Sequence, residues 1–169
     1  MTLYTGPAMM EPAPLDEEYQ PLLLATPAHV EAYWPWVRPL LNRCVKETMH
    51  GELEVDDIKA LALNGKAYIF VLTNDRTATN PERDVRLALA VEVVQYPRLP
   101  AMNVLAIGGT ELAMFHRKFW QQFCGWAYMN GIRAIDGWVG PAMQRMLTRY
   151  GFKQVYSHMR LELTEAPNV

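Results

Sequence analysis

The sequence predicts one mixed α/β domain: a central mixed sheet of about six or seven strands, with helices on both faces. Three observations predict it. Residues 102–152 read as strand, glycine pair, long aromatic helix, strand, short helix and Gly-Phe, with apolar spacing that switches between the strand and helix periods. Residues 67–73 and 85–96 are further strand patterns, the second alternating Val85, Leu87, Leu89, Val91 and Val93. The chain has 169 residues, 50% hydrophobic and 20% charged, which suits one globular core rather than a disordered chain.

Taken in order, residues 1–20 stand apart from a domain spanning 21–169. Pro7, Pro12 and Pro14 punctuate them, Asp16, Glu17 and Glu18 form an acidic cluster, and no helix or strand period survives. They read as an extended arm: either an ordinary loose end, or a segment that orders against a partner with Met9 and Met10 as anchors. Residues 21–25 form a short strand. Thr26 is an N-cap before Pro27 in the first turn. The helical pattern that follows runs to about Met49, and Pro35 and Pro39 predict a break. The expected pieces are a helix to Trp34 and a second from Pro35 or Trp36, burying Trp36, Leu40, Cys44 and Val45. His50-Gly51 stops it.

Residues 54–64 predict a helix with Val55, Ile58, Leu61 and Ala62 inward and Asn64-Gly65 at its C-terminus. After the strands at 67–73 and 85–96, Pro97 and Pro100 bound a turn before the strand at 102–107. Thr110 caps a helix running to about Asn130, with Leu112, Phe115, Phe119, Phe123 and Trp126 on one face. Gly131 ends it, and 132–139 is a strand. Pro141 opens a helix whose stripe is Met143, Met146, Leu147 and Tyr150, closed by Gly151. Residues 153–163 predict a long terminal strand and 164–169 a tail. Short connections make the earlier strands antiparallel, and the strands flanking the long helix parallel with a right-handed crossover.

The net charge of −2 gives no electrostatic case for nucleic acid. The sequence has no run of about 18 apolar residues and no signal-peptide pattern. No membrane role and synthesis in a reducing cytoplasm are therefore expected. Cys44 and Cys124 lie in apolar helical contexts and read as buried thiols rather than a disulfide or a nucleophile. The 10 Met, 5 Trp and 8 Tyr fill a core or supply surface for a protein partner.

Chemistry-bearing patterns are sparse. No histidine or cysteine pair has metal-ligand spacing, and Cys-x-x-Cys, P-loop and Gly-x-Ser-x-Gly motifs are absent. Glu92, on a central strand, is the candidate general base, because a half-buried carboxylate can take an amine proton; the alternative is a solvated edge position. Gly108, Gly109 and Thr110 form a candidate phosphate cradle of free N–H groups at a helix start; the alternative is a turn before a cap. Glu111 in the first turn opposes a phosphate there, and Arg117 and Lys118 lie about two turns too deep to help.

The β-α-β-α order and the Tyr150-Gly151-Phe152 ending resemble the second half of the GNAT N-acetyltransferase fold. The resemblance implies a splay between the two parallel strands that admits acetyl-CoA. It places the cofactor-binding residues at Gly108, Gly109 and Thr110. Two departures accompany it. No basic residue precedes a Gly-x-Gly, and the family's general-acid tyrosine falls on Leu147, which has no proton to give. The stretches VEAYWPWVRPLLNRCV, DDIKALALNGKAYIFVL and YPRLPAMNVLAIGG are similar to small GNAT-like proteins of tailed bacteriophages and prophages. That narrower resemblance implies a virion or assembly role. Two readings follow. In the first, which the departures favour, a divergent phage-encoded GNAT-fold protein is non-catalytic. It is made in the host cytoplasm, needs no cofactor, and binds other virion proteins or copies of itself. In the second it is an acetyl-CoA-dependent N-acetyltransferase with a degenerate pyrophosphate loop and Glu92 as base.

Overall fold

The computed structural model describes residues 19–74, 84–109 and 119–163. The expected arm up to residue 18, Thr110 and Glu111, and the turns expected to open the long helix (with Leu112 and Phe115) lie outside them. Among the described residues a five-stranded sheet runs in the order β1-β2-β3-β4-β5. The strands are β1 (Gln20–Leu23), β2 (Ala67–Thr73), β3 (Val85–Tyr96), β4 (Leu99–Gly109) and β5 (Ala134–Gly137). Neighbours pair antiparallel except β4 and β5, which are parallel as their long connection requires. Pro97 and Arg98 form the turn between β3 and β4.

Among the described residues there are four helices: α1 (Pro27–Thr48), α2 (Val55–Leu63), α3 (Gln121–Met129) and α4 (Pro141–Thr148). α1 and α2 lie on one face, where Tyr33, Leu41 and Ile58 bury against Ile69, Val71 and Ala88. α3 lies on the other, where Phe119 and Phe123 bury against Phe70, Leu72, Leu87 and Met102. Phe70 meets Phe123 and Trp126 edge to face, with ring centroids 5.1 and 4.9 Å apart. The helix face expected from the Phe119, Phe123 and Trp126 spacing is therefore the one that packs. The stripe of α4 also has the expected phase, with Met143, Met146, Leu147 and Tyr150 each half-buried.

Three expectations are corrected. α1 is one helix of 22 residues through Pro35 and Pro39, not two. Both prolines are exposed, so the carbonyls they leave unbonded face water. Tyr33, Trp34, Val37, Leu41 and Val45, buried on the opposite side, hold the helix together. Its buried stripe is accordingly turned from the expected one, leaving Trp36, Leu40 and Cys44 only partly buried. The strand expected at 132–139 is shorter, Ala134–Gly137, and is the edge of the sheet. Residues 153–163 form no strand. Val155, Tyr156, Met159, Leu161 and Leu163 are exposed, and no described strand pairs with them. This is why the sheet has five strands rather than six or seven: alternation alone does not make a strand without a partner edge. The segment is tied down instead by an Arg160 ion pair with Glu52 and by His158 stacked on Trp138 at 4.9 Å.

Glycine at position 108 has a packing reason. A Cβ there would fall 2.0 Å from the carbonyl oxygen of Leu40, so glycine lets α1 lie directly on β4. Gly109 is pressed as closely on β3, where a Cβ would meet the Arg86 carbonyl oxygen at 2.4 Å.

Candidate functional site

β4 and β5 pair only from Ala101↔Ala134 to Val104↔Gly137. β5 then ends, while β4 continues beside β3 to Gly109. Past Val104 the two parallel strands part, and no described strand takes the place of β5. The parting coincides with a bulge. Ala90 pairs with Ala106 and Val91 with Val104, leaving Leu105 without a partner in β3. Leu105 and the next residue, Ala106, both join the core beneath α1.

A small cavity of about 60 Å³, partly open to solvent, lies in the gap. β4 supplies one wall from Val104 to Ile107, Trp138 and Leu147 lie beyond β5, and Cys44 and Thr48 of α1 close it. None of its described lining residues is charged. The Thr48 hydroxyl is already engaged, donating to the Cys44 carbonyl at 2.8 Å.

Polar chemistry gathers at the paired end of the gap. Glu92 of β3 faces Asn103 of β4, and Asn103 faces Asp136 of β5, in one row across the sheet. Asn103 Nδ2 donates to Glu92 Oε1 at 3.0 Å. Glu92, Asn103 and Asp136 are each half-buried. Asn103 Oδ1 is buried and has no hydrogen-bond partner among the described residues. Glu92 shares its side of β3 with Ala88 and Ala90, the face covered by α1 and α2. The next residues along, Val104 and Gly137, line the cavity. Glu92, Asn103 and Asp136 do not themselves line the cavity; the row stands one residue from its Val104 and Gly137 edge, and its two carboxylates and amide are able to hold an amine and accept its proton.

The sequence-derived residues distribute as follows. Glu92 lies in the row. Gly108 and Gly109 are the last two residues of β4, paired opposite Ala88 and Leu87. Leu147, at the position of the general-acid tyrosine, lines the cavity. Asn103 and Asp136 were missed by sequence reasoning, as were Cys44 and Thr48 as cavity walls. A signal for the first two existed: each is a lone polar residue inside an apolar strand pattern. Cys124, expected to be an inert thiol, is held un-ionised by burial, which pushes its pKa up to about 12.

No protein-family model and no curated protein matches the chain. Solved structures do. The BH1408 protein of Bacillus halodurans aligns over 86% of this chain and 99% of its own, with a TM-score of 0.58 and 16% identity. An aminoglycoside acetyltransferase from an uncultured soil metagenomic sample covers 88% and 99%, with a TM-score of 0.59 and 14% identity. A predicted acetyltransferase with acetyl-CoA from Clostridium acetobutylicum covers 89% and 98%, with a TM-score of 0.57 and 10% identity. The latter two are acetyltransferases. At such identities the likeness establishes the fold alone, and that fold is the GNAT-type acetyltransferase fold.

Proposed function

We propose that this protein is an acyl-CoA-dependent N-acyltransferase of the acetyltransferase type, working in the gap between β4 and β5. The observation that carries the reading is the parting of the two parallel strands after Val104↔Gly137, with a cavity in the gap and Glu92, Asn103 and Asp136 beside it. A gap of this kind admits a flexible thioester arm between two strand edges, and its apolar walls exclude water from the reacting carbon.

Acetyl-CoA, when bound, supplies an acyl group activated as a thioester. The chain's own residues do the rest. Glu92 takes a proton from the acceptor's ammonium group, leaving a neutral amine to attack. Asn103 positions Glu92 by its 3.0 Å hydrogen bond. Asp136, across Asn103, attracts the cationic acceptor into the row. Leu147 cannot protonate the departing thiolate, so that proton comes from solvent. The backbone at Gly108, Gly109 and Thr110 is assigned the cofactor's diphosphate, a role independent of the packing reason for both glycines. The decisive experiment is calorimetry with acetyl-CoA, followed by thiol release with a panel of primary amines. Glu92→Gln lowers turnover by roughly 10²–10⁴ with an unchanged melting temperature. Absence of any acetyl-CoA binding sinks the reading.

A second reading, a non-catalytic protein that binds other proteins or copies of itself, is favoured by one observation. Residues 153–163 expose five large apolar side chains. A protein that lacks acetyl-CoA binding and self-associates through this segment would establish it. The phage and virion assignment belongs to this second reading and rests on the sequence resemblance alone.

A further inference from the structure

We infer that residues 153–163 are the contact of a homodimer, in which this segment from two copies packs face to face and antiparallel about a two-fold axis. The inference goes beyond the acyltransferase reading and stands whether or not acetyl-CoA binds.

The segment is built inside out. It runs from Lys153 to Leu163 with no helix, strand or turn. Even-numbered positions fasten it to the body. Gln154 Oε1 accepts from Gln144 of α4 at 3.0 Å, and His158 stacks on Trp138 at 4.9 Å. Arg160 forms its ion pair with Glu52 and donates to the His50 carbonyl at 3.0 Å. The apolar residues stand between these anchors, on the side turned away from the body. Val155, Met159, Leu161 and Leu163 are between 69% and 90% exposed. A chain folding for itself alone gains by the opposite arrangement, with the leucines inward and the polar side in water. Here the polar side is held inward by three contacts and the apolar side is left free for another surface.

Size and charge say what that surface is. With Ser157 between them and exposed Tyr156 at the rim, these side chains offer an area approaching the ~800 Å² that each partner of a standard interface buries. Patches of this extent on a monomer mark contact sites. No residue on the apolar side from Val155 to Leu163 is charged, so its mate must be uncharged as well. The same side of a second copy meets that requirement. Opposite charges stand near the two ends: Lys153 at one and Glu162 at the other, both exposed. Antiparallel packing of the segment on itself brings Lys153 of each copy to Glu162 of the other, twice, by the two-fold symmetry. Parallel packing would set like charges together. Because Gln154, His158 and Arg160 keep the polar side on its own body, the two bodies lie on the outside of the contact.

The test is sedimentation equilibrium of the full chain across micromolar concentrations at low salt. A dimer is expected. Met159→Glu combined with Leu161→Glu should weaken it roughly a hundredfold or more, since each substitution removes a buried apolar side chain and places a charge in the contact. Both residues are exposed in the single copy, so circular dichroism of the dilute variant should show the wild-type melting temperature. Charge exchange identifies the mate. Lys153→Glu alone and Glu162→Lys alone should each weaken the dimer about fivefold or more, by bringing like charges together at both ends. The two substitutions together should restore wild-type affinity within about threefold. A chain that stays monomeric at every concentration overturns the inference. So does a dimer untouched by the glutamates at 159 and 161. Failure of the double exchange to restore what each single change removed overturns the antiparallel pairing. None of these outcomes depends on acetyl-CoA, whose binding tests the acyltransferase reading separately.

Discussion

Substitution of Gly108 by alanine tests how closely α1 lies on the sheet. The added Cβ would stand 2.0 Å from the Leu40 carbonyl oxygen and 2.6 Å from its carbon. Carbon reaches its best contact at roughly 3.5–4.0 Å, so more than about 1 Å of relief is needed. Both obstructing atoms are backbone, so no rotamer change supplies that relief. Either β4 bends away or α1 moves as a body, and α1 carries Tyr33, Val37 and Leu41 of the core. Overpacking of this kind costs ~1–3 kcal/mol, and two backbone clashes place it at the upper end. At ~2–4 °C per kcal/mol for a chain of this length, the melting temperature should fall by roughly 6–12 °C. Gly125→Ala is the matched control. Gly125 is exposed on α3 with no atom within 4 Å of a new Cβ, so alanine should raise stability by ~0.5–1 kcal/mol. Calorimetric melting of both variants reads the two signs together. A Gly108→Ala protein that melts with the wild type would mean that α1 does not press on β4, and the packing account of this glycine would be wrong.

Further perturbations have expected outcomes. Phe119 is 1% exposed against Phe70 and Phe123, so Phe119→Ala should cost ~3–5 kcal/mol in chemical denaturation; a neutral result would put the helix face elsewhere. Tyr19 donates to Asp84 Oδ2 at 2.7 Å with Arg86 4.2 Å above its ring, and Tyr19→Phe should lower the melting temperature at neutral pH. Its hydrogen bond holds the Asp84 carboxyl below the ordinary value of 3.8, so this contribution is present above that pH and is lost as pH falls through the lower, folded pKa. The bond to Asp84 likewise raises the Tyr19 phenol above 10.0, so the contribution is full below that pH and is lost as pH rises through the raised pKa. A wild-type-minus-variant difference that is constant from pH 2 to 8 would refute the pairing.

Much of the fold was legible in the sequence because its cues are local. The apolar run of β2, the alternation of β3, the prolines and glycines between elements, and the apolar stripes of α2 and α4 depend on neighbours within a few residues. The parallel pairing of β4 with β5 followed from the helix between them. Glu92 was legible as a carboxylate on a central strand for the same reason. What the tertiary structure decided depends on residues far apart in the chain. Helix α1 runs through Pro35 and Pro39 because its opposite face is buried, and no local rule weighs that burial against two missing hydrogen bonds. Residues 153–163 alternate like a strand yet pair with nothing described, since a strand exists only where another edge receives it. Gly108 is glycine because Leu40, distant in sequence, comes within reach of it. Glu92, Asn103 and Asp136 come from three strands, and only the register of the sheet sets them in one row. The cavity is drawn from α1, β4 and α4 together. Its apolar character was written in each segment, but its existence depends on where β5 stops pairing, which the sequence of no single segment contains.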